Sequence, residues 1–195
     1  MDLPAFPDGY ALDTARLALR APSPGDMPVL WPLVSDHRLT PFLAWEAHGT
    51  PDETTAMIDA LMQAQREGRG FHWLVRSHDD AAVQGLVSLI DVRRTHRALT
   101  WQRAELAYWT APDAQGRGIA SEAARAVMRC GFGALGLHKI VVYHAVDNPP
   151  SGRVVEKLGF RLVGTEREAF RKQGRWHDLR QYELLASEFE DRPTP

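Results

Sequence analysis

The spacing of apolar positions changes several times along this chain, and each change marks an element. At 16–20, Leu17 and Leu19 alternate with Arg16, Ala18 and Arg20, the two-residue period of a short half-buried strand. Turn and cap residues at 22–26 then predict a helix near 27–36. A second helix starts from Thr50 as its N-cap, with Pro51 at the first position and Asp52 and Glu53 where the helix dipole favours acids. Met57, Ile58, Leu61 and Met62 form its inward stripe, and Gly68 is its stop. Segments 71–76 and 83–92 read as strands joined by a polar turn at Asp79 and Asp80, and 105–110 as the next strand. Ala120, Ala123, Ala124, Val127, Met128, Gly131 and Leu135 recur at intervals of three and four, which predicts a long helix ending at Gly136. A Val-rich strand at 139–145, a short helix around 154–158 and strands at 160–165 and 179–185 complete the chain. The order is β, α, α, three β, α, β, α, two β, a mixed α/β layer.

Length and composition bound this picture. With 195 residues and 44% hydrophobic content, one domain over 1–195 with its core at about 14–189 is expected. The lone Cys130 excludes a disulfide framework and a multi-cysteine zinc site, and the eight histidines show no metal-ligand spacing, so no metal is expected. The N-terminus has no basic start before an apolar run, and no stretch approaches the roughly 18 apolar residues of a membrane span. A cytoplasmic protein with no membrane partner is the expectation. The net charge of -2 argues against nucleic acid, but it is a cancellation: residues 1–60 hold nine acids and three bases, and residues 148–180 eight bases and four acids. Such asymmetry suits a cationic ligand on one side and an anionic one on the other. Two solvated faces would look the same.

Three segments carry chemistry beyond packing. Gln115, Gly116, Arg117, Gly118, Ile119 and Ala120 lie between a predicted strand and the long helix. Two glycines let backbone amides approach a ligand, and the helix start adds unpaired N–H groups at the positive end of the dipole, which makes an anion cradle. No Gly-Lys-Ser/Thr follows and the spacing is not Gly-x-Gly-x-x-Gly, so nucleoside triphosphate and dinucleotide loops lack their key residues. A glycine turn that only caps the helix has the same sequence. In the second segment, Asn148 before Pro149 is a good N-cap, while Ser151 falls in the first turn of that helix, facing whatever lies beyond the strand ends or simply solvent. In the third, Glu105, Ala107 and Trp109 share one strand face, with Leu106 and Tyr108 on the other. A carboxylate beside aromatic surface is desolvated, which raises its pKa and makes it a usable base; an ordinary surface glutamate at a strand end is the plainer reading.

In this order and spacing, the 105–109 strand, the Gln-x-x-Gly-x-Ala cradle, Asn148 with Ser151, and Glu156-Lys157-Leu158-Gly159-Phe160 resemble the GNAT superfamily of N-acetyltransferases, in particular the branch that acetylates N-termini of ribosomal proteins. Arg16-Leu17-Ala18-Leu19-Arg20 and Gly174-Arg175-Trp176-His177-Asp178 extend the resemblance over nearly the whole chain. It implies an α/β GNAT fold, with a central, mostly antiparallel seven-stranded sheet splayed at its middle strands (105–110 and 139–145) and helices on both faces. The gap would admit acetyl-CoA. By the same resemblance, backbone amides of Gln115, Gly116, Arg117, Gly118, Ile119 and Ala120 hold the pyrophosphate, the strand near Trp109 and Thr110 pairs with the pantetheine arm, and Asn148 and Ser151 contact that arm and the thioester. Ala107 stands where the family often has Gly, and Pro149-Pro150 precedes Ser151.

Acetyl transfer from a thioester needs a neutral amine, and here Glu105 is the candidate base and Ser151 the candidate donor to the departing thiolate. A carboxylate near pKa 4.3 faces a mismatch of roughly 3.5 units with an α-ammonium near 8, about 5 kcal/mol, and about 8 kcal/mol with a lysine near 10.4. The α-amine of a protein or peptide is therefore the expected acceptor. Direct attack needs no acyl-enzyme, so Cys130 reads as packing. Trp31 and Glu46, with Asp36, Phe42 and Trp45, are candidates to hold a cationic amine, and His177 reads as packed on Trp176. A small amine such as a polyamine or an antibiotic-like compound is the alternative acceptor, and a non-catalytic acyl-CoA sensor the alternative class. A homodimer stays open.

Overall fold

The computed structural model describes residues 10–191 without the side chains at 81 and 96, and among these are eight strands and four α-helices. They are β1 (Leu12–Asp13), β2 (Leu17–Arg20), α1 (Met27–Val34), α2 (Pro51–Arg66), β3 (Phe71–Ser77), β4 (Asp80–His96), β5 (Leu99–Thr110), α3 (Ile119–Phe132), β6 (Lys139–Ala145), α4 (Pro149–Lys157), β7 (Arg161–Lys172) and β8 (Arg175–Leu185). Residues 1–9, expected to be neither leader nor anchor, lie outside the described residues.

All the strands join one sheet in the order β1-β2-β3-β4-β5-β6-β8-β7. Every neighbouring pair is antiparallel except β5 and β6, which run parallel and pair only at Arg103 with Lys139, Ala104 with Ile140 and Glu105 with Val141. Beyond Glu105 the two strands part. The mixed, mostly antiparallel sheet with a gap at its middle strands is the expected fold, with one strand more than the seven anticipated. The extra strand, β1, is two residues long and pairs with β2, too short for any period to reveal. The hairpins β4–β5 and β7–β8 also run longer than the apolar pattern predicts, because their distal residues are mostly exposed and mostly polar, and the brief alternation of Leu99 and Trp101 faces solvent. The long helix ends earlier, with Gly133 as its C-cap; the backbone N–H of Leu135 instead bonds the carbonyl of Cys130 at 3.0 Å, and this buried leucine belongs to the loop returning to β6.

Helices cover both faces, and the period-two alternation of each strand divides its side chains between two cores. Leu17, Trp73, Val75, Leu89, Leu106 and Ile140 pack under α3 and α4, against Ala123, Val127, Met128 and Val155. Leu74, Leu86 and Trp109 pack on the other face against Leu30 and Val34 of α1 and Ile58 of α2. Each fully buried Leu, Ile or Val contributes about 1.5–3 kcal/mol. At the centre, β4 and β5 approach so closely that a Cβ on Gly85 would lie 2.5 Å from the Trp109 carbonyl oxygen, so only glycine fits opposite the strand that borders the gap. No helix among the described residues is long and apolar enough to cross a membrane.

Candidate active site

Where β5 and β6 separate, a cleft of about 1120 Å³ opens between them, walled by β5, β6, the start of α4, the tip of the β7–β8 hairpin and the loop after α1. Glu105 and Ser151 both line it. Glu105 sits at the last paired position of β5 with β6. Burial, and then the Asp91 carboxylate, push its carboxyl above the usual range, with Arg103 opposing. Asp91 is set there by an irregularity in the β4–β5 register, where its own φ is +48°.

Opposite, the N-cap of α4 forms as expected. Asn148 Oδ1 accepts the Ser151 backbone N–H at 3.3 Å, and Pro149 and Pro150 take the first helical positions, so the diproline starts the helix. This places the Ser151 hydroxyl 2.9 Å from the phenol oxygen of Tyr108, which also donates to the Ser151 carbonyl at 3.2 Å. Burial pushes the Tyr108 phenol up to about 12, although the serine hydrogen bond acts the other way. Tyr108 was not singled out from the sequence, where alternation assigned it only to the face opposite Glu105. That face is the one toward α3 and α4, and its partner lies 43 residues further on.

The cradle takes the shape its glycines allow. Gly116 and Gly118 hold φ of +74° and +77°, the left-handed region that costs other residues about 1–2 kcal/mol, and Gly118 is the N-cap of α3. The first intrahelical bond runs from the Glu122 N–H to the Gly118 carbonyl, so the N–H groups of Ile119, Ala120 and Ser121 are left without helical acceptors. Gln115 reaches back to donate to the Thr110 carbonyl at 3.3 Å, tying the turn to the end of β5. On the side toward β6, residues 106–110 of β5 have no partner strand. Glycine-enabled turn, unpaired amides and open strand edge together fit a pyrophosphate followed by an extended arm.

Of the residues expected from the sequence to hold an amine, the structure brings some to the cleft. Phe42, Trp45 and Glu46 line the cleft; Trp31 and Asp36 do not. Leu30 and Val34 face the core, while Trp31, one residue and about 100° further round α1 from Leu30, is half-buried and lines neither the core nor the cleft. Asp36 is held by Arg38 at 2.8 Å. His177 stacks on Phe170 at 5.1 Å rather than on Trp176, which is exposed. Sequence reading also missed Lys172, whose buried ammonium donates to the Leu43 and Trp45 carbonyls at 2.5 and 2.8 Å and lies 3.7 Å from Glu46. Cys130 is buried in α3 and its thiol is pushed up to about 11 by burial.

Residues 16–161 match the family model described as an acetyltransferase (GNAT) domain. The chain belongs to the GNAT acetyltransferases. It is 28% identical over 174 residues to the uncharacterized N-acetyltransferase YoaA of Bacillus subtilis, covering 89% of this chain and 96% of that one. It is also similar to the spermidine N-acetyltransferase of Vibrio cholerae solved with CoA and spermine (TM-score 0.77, 26% identity, 90% of this chain and 98% of the other). The fold is shared with RimL, a ribosomal L7/L12 alpha-N-protein acetyltransferase solved with coenzyme A (TM-score 0.81, 22% identity, 90% and 97% covered). This GNAT chain is an N-acetyltransferase, and among its described residues no cluster of His, Cys, Asp or Glu could hold a metal ion.

Proposed function

We propose that this N-acetyltransferase takes acetyl-CoA as its donor and acylates the α-amine of a protein or peptide N-terminus. The observation that carries the reading is a single cleft lined by a desolvated Glu105 carboxylate and by the Tyr108–Ser151 hydroxyl pair, directly beside an open strand edge and an anion cradle. Backbone amides within 115–120 bind the pyrophosphate, that of Gln115 apart because it donates to the Pro112 carbonyl at 3.4 Å; residues near Trp109 and Thr110 align the pantetheine arm, and Asn148, whose Oδ1 caps α4, keeps its side-chain N–H groups for the same arm. Glu105 takes the proton lost by the attacking amine, directly or through a water. Its raised pKa narrows the gap to an α-ammonium. Tyr108, at about 12, is some 3.5 units above an ordinary thiol near 8.5, roughly 5 kcal/mol, so the hydroxyl pair stabilises the departing thiolate by hydrogen bonds rather than by giving up its proton.

The acceptor class follows from how the cleft charges are spent. Asp91 is paired with Arg93 at 2.8 Å and Arg103 at 3.8 Å, and Glu46 with Lys172, while Arg171 adds a further cation to the wall. Few carboxylates are left to hold a polycation. A chain with one ammonium and a row of amides fits better. The acidic wall of Glu46, Glu53, Asp91 and Glu105 is what supports the second reading, a polyamine, in line with the Vibrio cholerae relative. Thiol release from acetyl-CoA in the presence of a free-N-terminus peptide, spermine or neither tests the two: the first reading predicts release with the peptide above the blank and above spermine. Release with spermine alone favours the second, and tight acetyl-CoA binding with no release in any vessel a sensor.

A further inference from the structure

Arg16, which opens the Arg16-Leu17-Ala18-Leu19-Arg20 pattern, takes no part in the site as described so far, yet it reaches the cradle. Its Nε donates to Glu122 Oε2 at 2.7 Å and its Nη2 lies 2.5 Å from the same oxygen. The other oxygen of Glu122 accepts the Thr14 hydroxyl at 2.6 Å and the Arg16 backbone N–H at 3.2 Å. Arg16 Nη1 donates to the Arg117 carbonyl at 3.3 Å, and a Cβ on Gly118 would sit 3.4 Å from Nη2. Arg20, four residues on, does something different: it pairs with the buried Asp26 away from the cradle.

The arrangement answers an electrostatic problem. Glu122 is a buried carboxylate on the first full turn of α3, under the turn that must accept an anion, and alone it would repel that anion at close range. Arg16 cancels this charge while its own side chain stays half exposed. It also fixes a peptide plane. The C=O and N–H of a trans peptide point in opposite directions, so holding the Arg117 carbonyl toward Arg16 turns the Gly118 N–H the other way, as a cradle donor requires. We infer that Arg16 is a positioning residue for the acetyl-CoA diphosphate: it neutralises Glu122 and orients the Arg117–Gly118 peptide from behind the turn. This rests on the reading that residues 115–120 hold the pyrophosphate.

Calorimetric titration of CoA and of 3′-dephospho-CoA into the full-length wild type, Arg16→Ala, Glu122→Gln and the double variant tests it. Arg16→Ala is expected to weaken both ligands about tenfold or more, the size of a charge-assisted contact. The loss should shrink toward 1 M salt, where screening is nearly complete. Adding Glu122→Gln should recover most but not all of the affinity, because the uncompensated carboxylate is gone while the contact that orients the Arg117 carbonyl is still missing. A double variant as weak as Arg16→Ala, an unchanged single variant, or a loss confined to CoA, which would make Arg16 a 3′-phosphate ligand, overturns the inference. Wild type that binds neither ligand overturns the pyrophosphate reading as well, and is distinguished from the other outcomes by that fact.

Discussion

The hydroxyls of Tyr108 on β5 and Ser151 on α4 lie 2.9 Å apart, joining the two sides of the gap in the wall of the cleft. Tyr108 also donates to the Ser151 carbonyl at 3.2 Å, so on the proposed mechanism a developing thiolate takes over an O–H from one of these two bonds. Tyr108→Phe is expected to lower kcat about 10- to 100-fold, the worth of a hydrogen bond to a charged group, and Ser151→Ala less. Acting as one unit, the double variant should be little worse than Tyr108→Phe. Steady-state thiol release on the four proteins checks this; fully multiplicative losses would mean separate roles.

On the proposed mechanism Glu105→Gln removes the base and should cost about 10²- to 10⁴-fold in kcat/KM, with acetyl-CoA binding retained. The same variant makes a stability prediction. The Glu105 carboxyl titrates higher folded than unfolded, so the folded state holds its proton more tightly. Its contribution is fully present below the unfolded value near 4.3 and is lost as pH rises through the raised folded value. Thermal melts should therefore find Glu105→Gln more stable than wild type at pH 8, with the advantage vanishing near pH 4. Equal melting temperatures at pH 8 would mean that Glu105 is fully hydrated in the folded protein.

Lys172 ties the hairpin tip to the loop carrying Phe42, Trp45 and Glu46. Its ammonium is buried against two carbonyls, so Lys172→Ala should cost about 1–3 kcal/mol and free that loop. KM for the acceptor should rise several-fold, and limited proteolysis should cut in 42–46 first. Unchanged acceptor KM would separate this clamp from the acceptor site.

Cys130→Ala should retain acetyl transfer. The thiol is buried and pushed up to about 11, and the direct attack proposed for the amine gives it no step to perform. In the native protein it should also resist thiol-specific reagents until unfolding. Loss of turnover with native melting behaviour would argue for an acyl-cysteine.

Much of this site is written locally. Alternation alone puts Glu105 and Trp109 on one face of β5, the paired glycines announce the turn before α3, and Asn148-Pro149 announces the start of α4, since each depends on neighbours a few residues away. What stayed hidden depends on distant pairing. Tyr108 meets Ser151 across 43 residues, Arg16 meets Glu122 across 106, and Lys172 meets Leu43 across 129. Trp31 illustrates a different limit: an aromatic in an apolar helix is visible in the sequence, but which way it faces depends on where Leu30 and Val34 are drawn by the sheet. The distal halves of β7 and β8 were invisible because a solvated ladder leaves no apolar period.

The central claim is that this cleft acetylates an α-amine. Intact mass spectrometry of one mixture tests it most directly: acetyl-CoA, a lysine-free peptide with a free N-terminus, the same peptide blocked at its terminus but carrying one lysine, and spermine. The account predicts a gain of one acetyl group on the free-terminus peptide, removed by Glu105→Gln. Acetylation only of spermine or of the lysine peptide would contradict it.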